Sequence, residues 1–110
     1  MDNYELLREA ITNEQQVVAD YKRLRRHLCP HAIGTKNGRP QALFYQFGGF
    51  SEHGLGADGS DDNWRCLRLD RLRVVEVRAG RWHTGTGHSK VNTCLDQVDV
   101  SWWELKQSRV

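Results

Sequence analysis

Little in this sequence is built for membranes, metal frameworks or secretion. No apolar run approaches the ~20 residues a transmembrane helix needs, so no membrane role is expected. Cysteine is sparse: Cys29, Cys66 and Cys94 stand far apart, and no C-x-x-C pair exists. The odd count and the absence of a signal-like apolar opening predict a cytoplasmic, reducing setting with buried thiols. There is no heptad, internal repeat or low-complexity tract, which excludes coiled coils and solenoids. Lysine is scarce as well. Of sixteen basic residues twelve are Arg and four Lys, set against fourteen acids for a net charge of +2. The chain is no polycation, yet its cations are the planar forks that suit carboxylate and phosphate.

What is present suits one domain over residues 1–110. Asp2 or Asn3 can cap a short helix within residues 1–13, where Tyr4, Leu7 and Ile11 form one apolar stripe. Short strands follow: Val17–Tyr21, then His27–Cys29 ending at Pro30. Asn37-Gly38 is a hairpin signal, and Gln41–Phe47 alternates strictly. Gly48 to Asn63 is a glycine-rich acidic loop expected to bury little and to be a mobile segment that ligand orders. Residues 93–105, with Val98, Val100, Trp102 and Trp103, read as a strand closing the sheet.

The stretch Trp64–Val77 anchors the rest. Leu67 and Leu69 share one face, while Cys66, Arg68 and Asp70 take the other. Leu72, Val74, Val75 and Val77 cannot all share a face, so a β-bulge near Asp70-Arg71 is expected. The core is expected to hold Leu43, Leu67, Leu69 and Val75. By the same parity Arg68 leaves the core face, whereas Arg65 points with Leu67 unless the strand start is twisted. Arg68 is therefore the stronger candidate of the two for a surface site.

Arg26-His27-Leu28-Cys29-Pro30, then Gly38-Arg39, Tyr45 and Trp64-Arg65-Cys66-Leu67-Arg68-Leu69-Asp70-Arg71-Leu72 resemble the core of a WYL domain over residues 17–78. The last element is the specific one. The tripeptide that names the family is replaced by Pro40-Gln41-Ala42, which makes this a divergent, WYL-like sequence. The resemblance implies a mainly β fold: a small, strongly bent antiparallel Sm-like (Src-homology-3-like) barrel with a short N-terminal helix. It also implies a ligand-sensing or nucleic-acid-binding role in bacterial transcription regulation.

These observations lead to a non-catalytic regulatory module that binds a nucleotide or short single-stranded nucleic acid. Arg26, Arg65 and Arg68 hold phosphate, Tyr45 stacks a base, and Gln46, Ser51 and His31 supply polar selectivity. A solvated strand face, its arginines met by Asp70 or Glu76, presents the same sequence. Two other functions compete. One is a protein-interaction or dimerisation module using the tandem Trp and a sheet edge, giving a possible homodimer. The other is a small hydrolase using His31 or His53, although no G-x-S-x-G elbow surrounds Ser51. His27, Cys29 and His31 offer zinc-ligand types without a fourth at motif spacing, so no metal or cofactor is expected.

Overall fold

A computed structural model describes residues 2–86 and 90–107. Helix α1 (Asn3–Thr12) begins where Asp2 accepts the Glu5 N–H at 2.9 Å. Its stripe places Leu7, Ala10 and Ile11 in the core, with Tyr4 packed at the margin. Six antiparallel strands follow: β1 (Gln16–Tyr21), β2 (Leu24–Lys36), β3 (Arg39–Gly49), β4 (Trp64–Arg68), β5 (Leu72–Arg78) and β6 (Gln97–Ser101). The turns are sharp. Lys22 and Arg23 both have positive φ in the β1–β2 connection, as do Asn37 (52°) and Gly38 (77°) in the β2–β3 connection. Positive φ at both central positions matches the twist of the flanking strands.

The strands form one sheet in the order β4-β3-β2-β1-β5, with β6 beside the far half of β2. The sheet is not closed into the expected barrel. Its two ends, β4 and β5, are nevertheless consecutive in the chain and joined by a single 3-10 turn, Leu69–Arg71. That short link forces the sheet to curl. The concave side, capped by α1, buries Leu28, Phe44, Leu67 and Leu69. The opposite side buries Leu43, Tyr45, Trp64 and Leu95 beneath helix α2 (Lys90–Cys94).

Several expectations are corrected. Strand β2 does not stop at Pro30 but runs through it. Pro30 sits where the register against β3 shifts, so its missing N–H falls at an irregular point of the ladder. The bulge predicted near Asp70-Arg71 is replaced by the 3-10 turn. The extra residue of β5 is Val75, skipped between the Glu76–Val18 and Val74–Ala19 pairings, so it is exposed and absent from the core. Residues 93–105 are not one strand: Trp102 and Trp103 start a short helix, α3 (Trp102–Gln107), and β6 lines β2 without closing the sheet. The thiols are not all free. Cys66 and Cys94 form a disulfide tying β4 to α2 across a Cα separation of 5.7 Å, and only Cys29 is a free, buried thiol, pushed up to about 12 by burial.

Gly34 is the point of closest approach between β2 and β6, because any Cβ there collides with the Gln97 carbonyl oxygen. Gly34→Ala should therefore cost about 1–3 kcal/mol, the scale of overpacking against backbone. Denaturant titration checks this, with an unchanged midpoint as the contrary result.

Candidate functional site

Strand parity determines what lies at the open end of the concave core. Along β2, Arg26 precedes Leu28 by two residues. Along β3, Gln46 follows Phe44 by two, and along β4, Arg65 precedes Leu67 by two. All three therefore occupy inward positions one step beyond buried apolar residues. A groove of about 720 Å³ opens there, lined by Tyr21, Arg26, Ser51, His53, Arg65 and Leu67 among others.

Arg26 is only 4% exposed. Its guanidinium lies 5.4 Å from the Tyr21 ring centroid, and Nη1 donates to Gln46 Oε1 at 3.4 Å. Gln46 is oriented in turn by donating to the carbonyls of Gly48 (3.0 Å) and Phe50 (2.8 Å). Arg65 donates through Nη1 to the Asp62 and Trp64 carbonyls (2.7 and 3.0 Å), and through Nη2 to Ser51 Oγ and the Gly54 carbonyl (both 3.1 Å). The Nε–H groups of both arginines are buried and have no acceptor among the described residues. Burial draws both guanidinium groups below the ordinary arginine value, and the Arg26 charge depresses Arg65 further, partly countered by Asp62. Glu52, the acid that most favours the Arg26 charge, is engaged by Lys22 Nζ at 3.2 Å.

The loop from Gly48 to Asn63 buries little, as expected, and is anchored at its end by Asn63. Asn63 is buried beneath it. Its Oδ1 accepts the Gly56 N–H at 2.8 Å, and its Nδ2 donates to the Gly56 and Ala57 carbonyls at 3.2 and 3.0 Å. Gly49, at φ 79°, lies so close to the Arg25 carbonyl and Arg26 Cα that no side chain fits.

The structure thus brings together Arg26, Arg65, Gln46 and Ser51 and leaves Arg68, Tyr45 and His31 elsewhere. Arg68 leaves the core face, as its parity requires, but there it grips Asp70 with Nε and Nη2 at 3.1 and 2.7 Å and does not line the groove. Of the two, the structure places Arg65 in the groove and Arg68 on the other face. Tyr45 is fully buried, its hydroxyl donating to the Ser60 carbonyl at 2.7 Å and its ring edge-on to Trp64, so no base can stack on it. His31 is the extra residue of a β2 bulge and lies inside the molecule, not at a pocket mouth. Trp64, Trp82, Trp102 and Trp103 surround it with centroids 4.7–5.3 Å away. Its Nδ1 donates to the Cys29 carbonyl at 2.8 Å, which leaves Nε2 to accept the Thr84 hydroxyl at 2.9 Å. Among the described residues no three His, Cys, Asp or Glu side chains converge as a metal site. Sequence reasoning missed Tyr21 as a groove wall, although its parity with Val17 and Ala19 pointed inward. It also missed Asn63, whose role carries no sequence signature.

No known family model, curated protein or solved structure matches the chain, so the WYL resemblance stands on the motif residues alone and the chemistry of the groove on its own geometry.

Burial pushes the His31 imidazole down to about 4, only partly countered by the Cys29 carbonyl. The unfolded chain, with an ordinary value near 6.5, then holds a proton that the folded chain lacks. Stability from this group is complete above pH 6.5 and declines as pH falls toward 4, by about 3 kcal/mol in all. Urea titrations across this range should show the decline and a flatter profile for His31→Asn. A wild-type stability independent of pH would contradict it.

Proposed function

We propose that the protein is a non-catalytic ligand-sensing module that binds a nucleotide or short single-stranded nucleic acid in the arginine-lined groove and serves in regulation. The observation that carries this reading is that two partly desolvated guanidinium groups, those of Arg26 and Arg65, line one groove. Desolvated like charges in one groove cost free energy, and a bound anion offsets that cost. The Ser51 hydroxyl is already committed to Arg65, which favours a selectivity role over a nucleophilic one. The chain order of helix, four strands, 3-10 turn and a fifth strand paired with the first supports an Sm-like plan for this module, in keeping with the WYL-like motif. Among the described residues no helix is long and apolar enough to cross a membrane.

Binding titrations against nucleotides and short single strands at two salt concentrations test the reading. Arg65→Ala should weaken binding by about 1–3 kcal/mol, the range for hydrogen bonds to charged groups. Arg65→Lys should weaken it too, because a fork becomes a point charge. Arg68→Ala should bind as wild type does. Absence of binding by the wild type to every panel member would overturn the proposal and direct attention to association through the open edge of β5, where Val75 is exposed.

A further inference from the structure

We infer that the Cys66–Cys94 bond is a thiol–disulfide exchange site, opened at Cys66 by a low-molecular-weight thiol through a mixed disulfide on that residue; the inference stands apart from the anion-binding reading. Its first support is the unequal setting of the two cysteines. Cys66 is exposed on β4, an edge strand of the sheet. Cys94 is 3% exposed and belongs to the apolar cluster of Leu43, Tyr45 and Trp64. A cavity of about 360 Å³ opens beside both cysteines, lined by Leu43, Asp61, Trp64, Lys90 and Thr93 among others. That volume lies within the range of small-molecule sites. A small thiol therefore reaches the bond from the Cys66 side. The third cysteine, Cys29, is fully buried and stays out of the chemistry.

The reaction balances with the thiol as reductant. A thiolate attacks Cys66 Sγ and a new S–S bond forms there. The Cys66–Cys94 bond breaks, and its electron pair leaves on Cys94 Sγ, which takes a proton from solvent. A second thiolate attacks the sulfur that came from the first, releasing a small-molecule disulfide and the Cys66 thiolate. The protein gains two electrons, and two thiol molecules are oxidised to one disulfide. Gln41 is the second support: its Nε2 donates to Cys66 Sγ at 3.0 Å and to the Cys94 carbonyl at 2.8 Å. A donor on this sulfur favours its thiolate, the form released in the second step and the nucleophile of the reverse reaction. The third support is what still holds α2 when the bond is open. Val91 and Leu95 are buried in the same apolar cluster. The Asp96 N–H donates to the Thr35 carbonyl at 2.9 Å, the Asn37 N–H to the Asp96 carboxylate at 2.8 Å, and Lys36 Nζ to the Thr93 carbonyl at 3.3 Å. These contacts keep Cys94 opposite Cys66, so the bond re-forms when a small-molecule disulfide is supplied.

Wild type treated with reduced glutathione in native buffer, alkylated with iodoacetamide and mapped by mass spectrometry tests this, with the buried Cys29 as internal reporter of unfolding. The bond should open at a rate proportional to glutathione concentration while Cys29 stays unlabelled, and oxidised glutathione should close it again. In Cys94→Ser and Cys66→Ser, checked by thermal melts, oxidised glutathione should modify Cys66 about tenfold or more faster than Cys94, and the two should react alike in urea. Gln41→Leu in the Cys94→Ser background should move the alkylation of Cys66 to higher pH, a readout that lost packing alone leaves in place; an unmoved profile would take Gln41 out of the site. Opening at a rate independent of glutathione, with Cys29 labelled in step, would overturn the inference. So would equal modification of Cys66 and Cys94 in native buffer.

Discussion

Strand β2 sets the geometry on which everything else depends. Its thirteen residues pair with β3 along nearly their whole length, and with β1 and then β6 on the other flank. Side chains alternate with period two, so a slip of one residue in this ladder would exchange the two faces of the sheet. The Asn37-Gly38 turn fixes the register at one end, and the register shifts beside Leu28 and Pro30 adjust it along the way. With the register so set, Arg26 and Gln46 face inward together, and β4, paired to β3 through Phe44–Arg65, delivers Arg65 to the same side. The shift at Pro30 also turns His31 into the tryptophan cage on the other side of the sheet.

Placing two arginines at inward positions is costly, and the surroundings show how the cost is met. Tyr21 offers a ring face to Arg26, Gln46 offers one acceptor, and the loop between Gly48 and Asn63 turns carbonyls toward Arg65. These contacts engage Arg26 Nη1 and both outer nitrogens of Arg65 and leave both Nε–H groups without acceptors among the described residues. Arg68, by contrast, has both Nε and Nη2 met by the Asp70 carboxylate. The Cys66–Cys94 disulfide reinforces the arrangement by fixing the strand that carries Arg65 to α2.

Local signals in the sequence were informative where the structure depends on neighbours along the chain. The Asp2 cap with the Leu7–Ile11 stripe gave α1, and Asn37-Gly38 gave the central hairpin. Even the inward direction of Arg65 followed from Leu67 two residues on. Placing the candidate site on the outward face with Arg68 left Arg65 dependent on a twisted strand start, whereas the end of a curled sheet is where an inward charge reaches a groove. Non-local events were not legible. Cys66 and Cys94 are separated by 28 residues and meet only because α2 packs on β3, the strand beside β4. Asn63 organises the loop through backbone partners that carry no side-chain signature. Val75 reads as core by hydropathy and is expelled because β5 carries one residue more than β1 opposite it.

In the anion site proposed above, the guanidinium groups of Arg26 and Arg65 are the donors. The most direct measurement is the arginine Nε–Hε region of a ¹H–¹⁵N spectrum during titration with pyrophosphate. The account predicts saturable shifts of the Arg26 and Arg65 resonances, while that of Arg68 stays in place. Equal, non-saturating drift of all arginine resonances, or no change at the two buried ones, would contradict it.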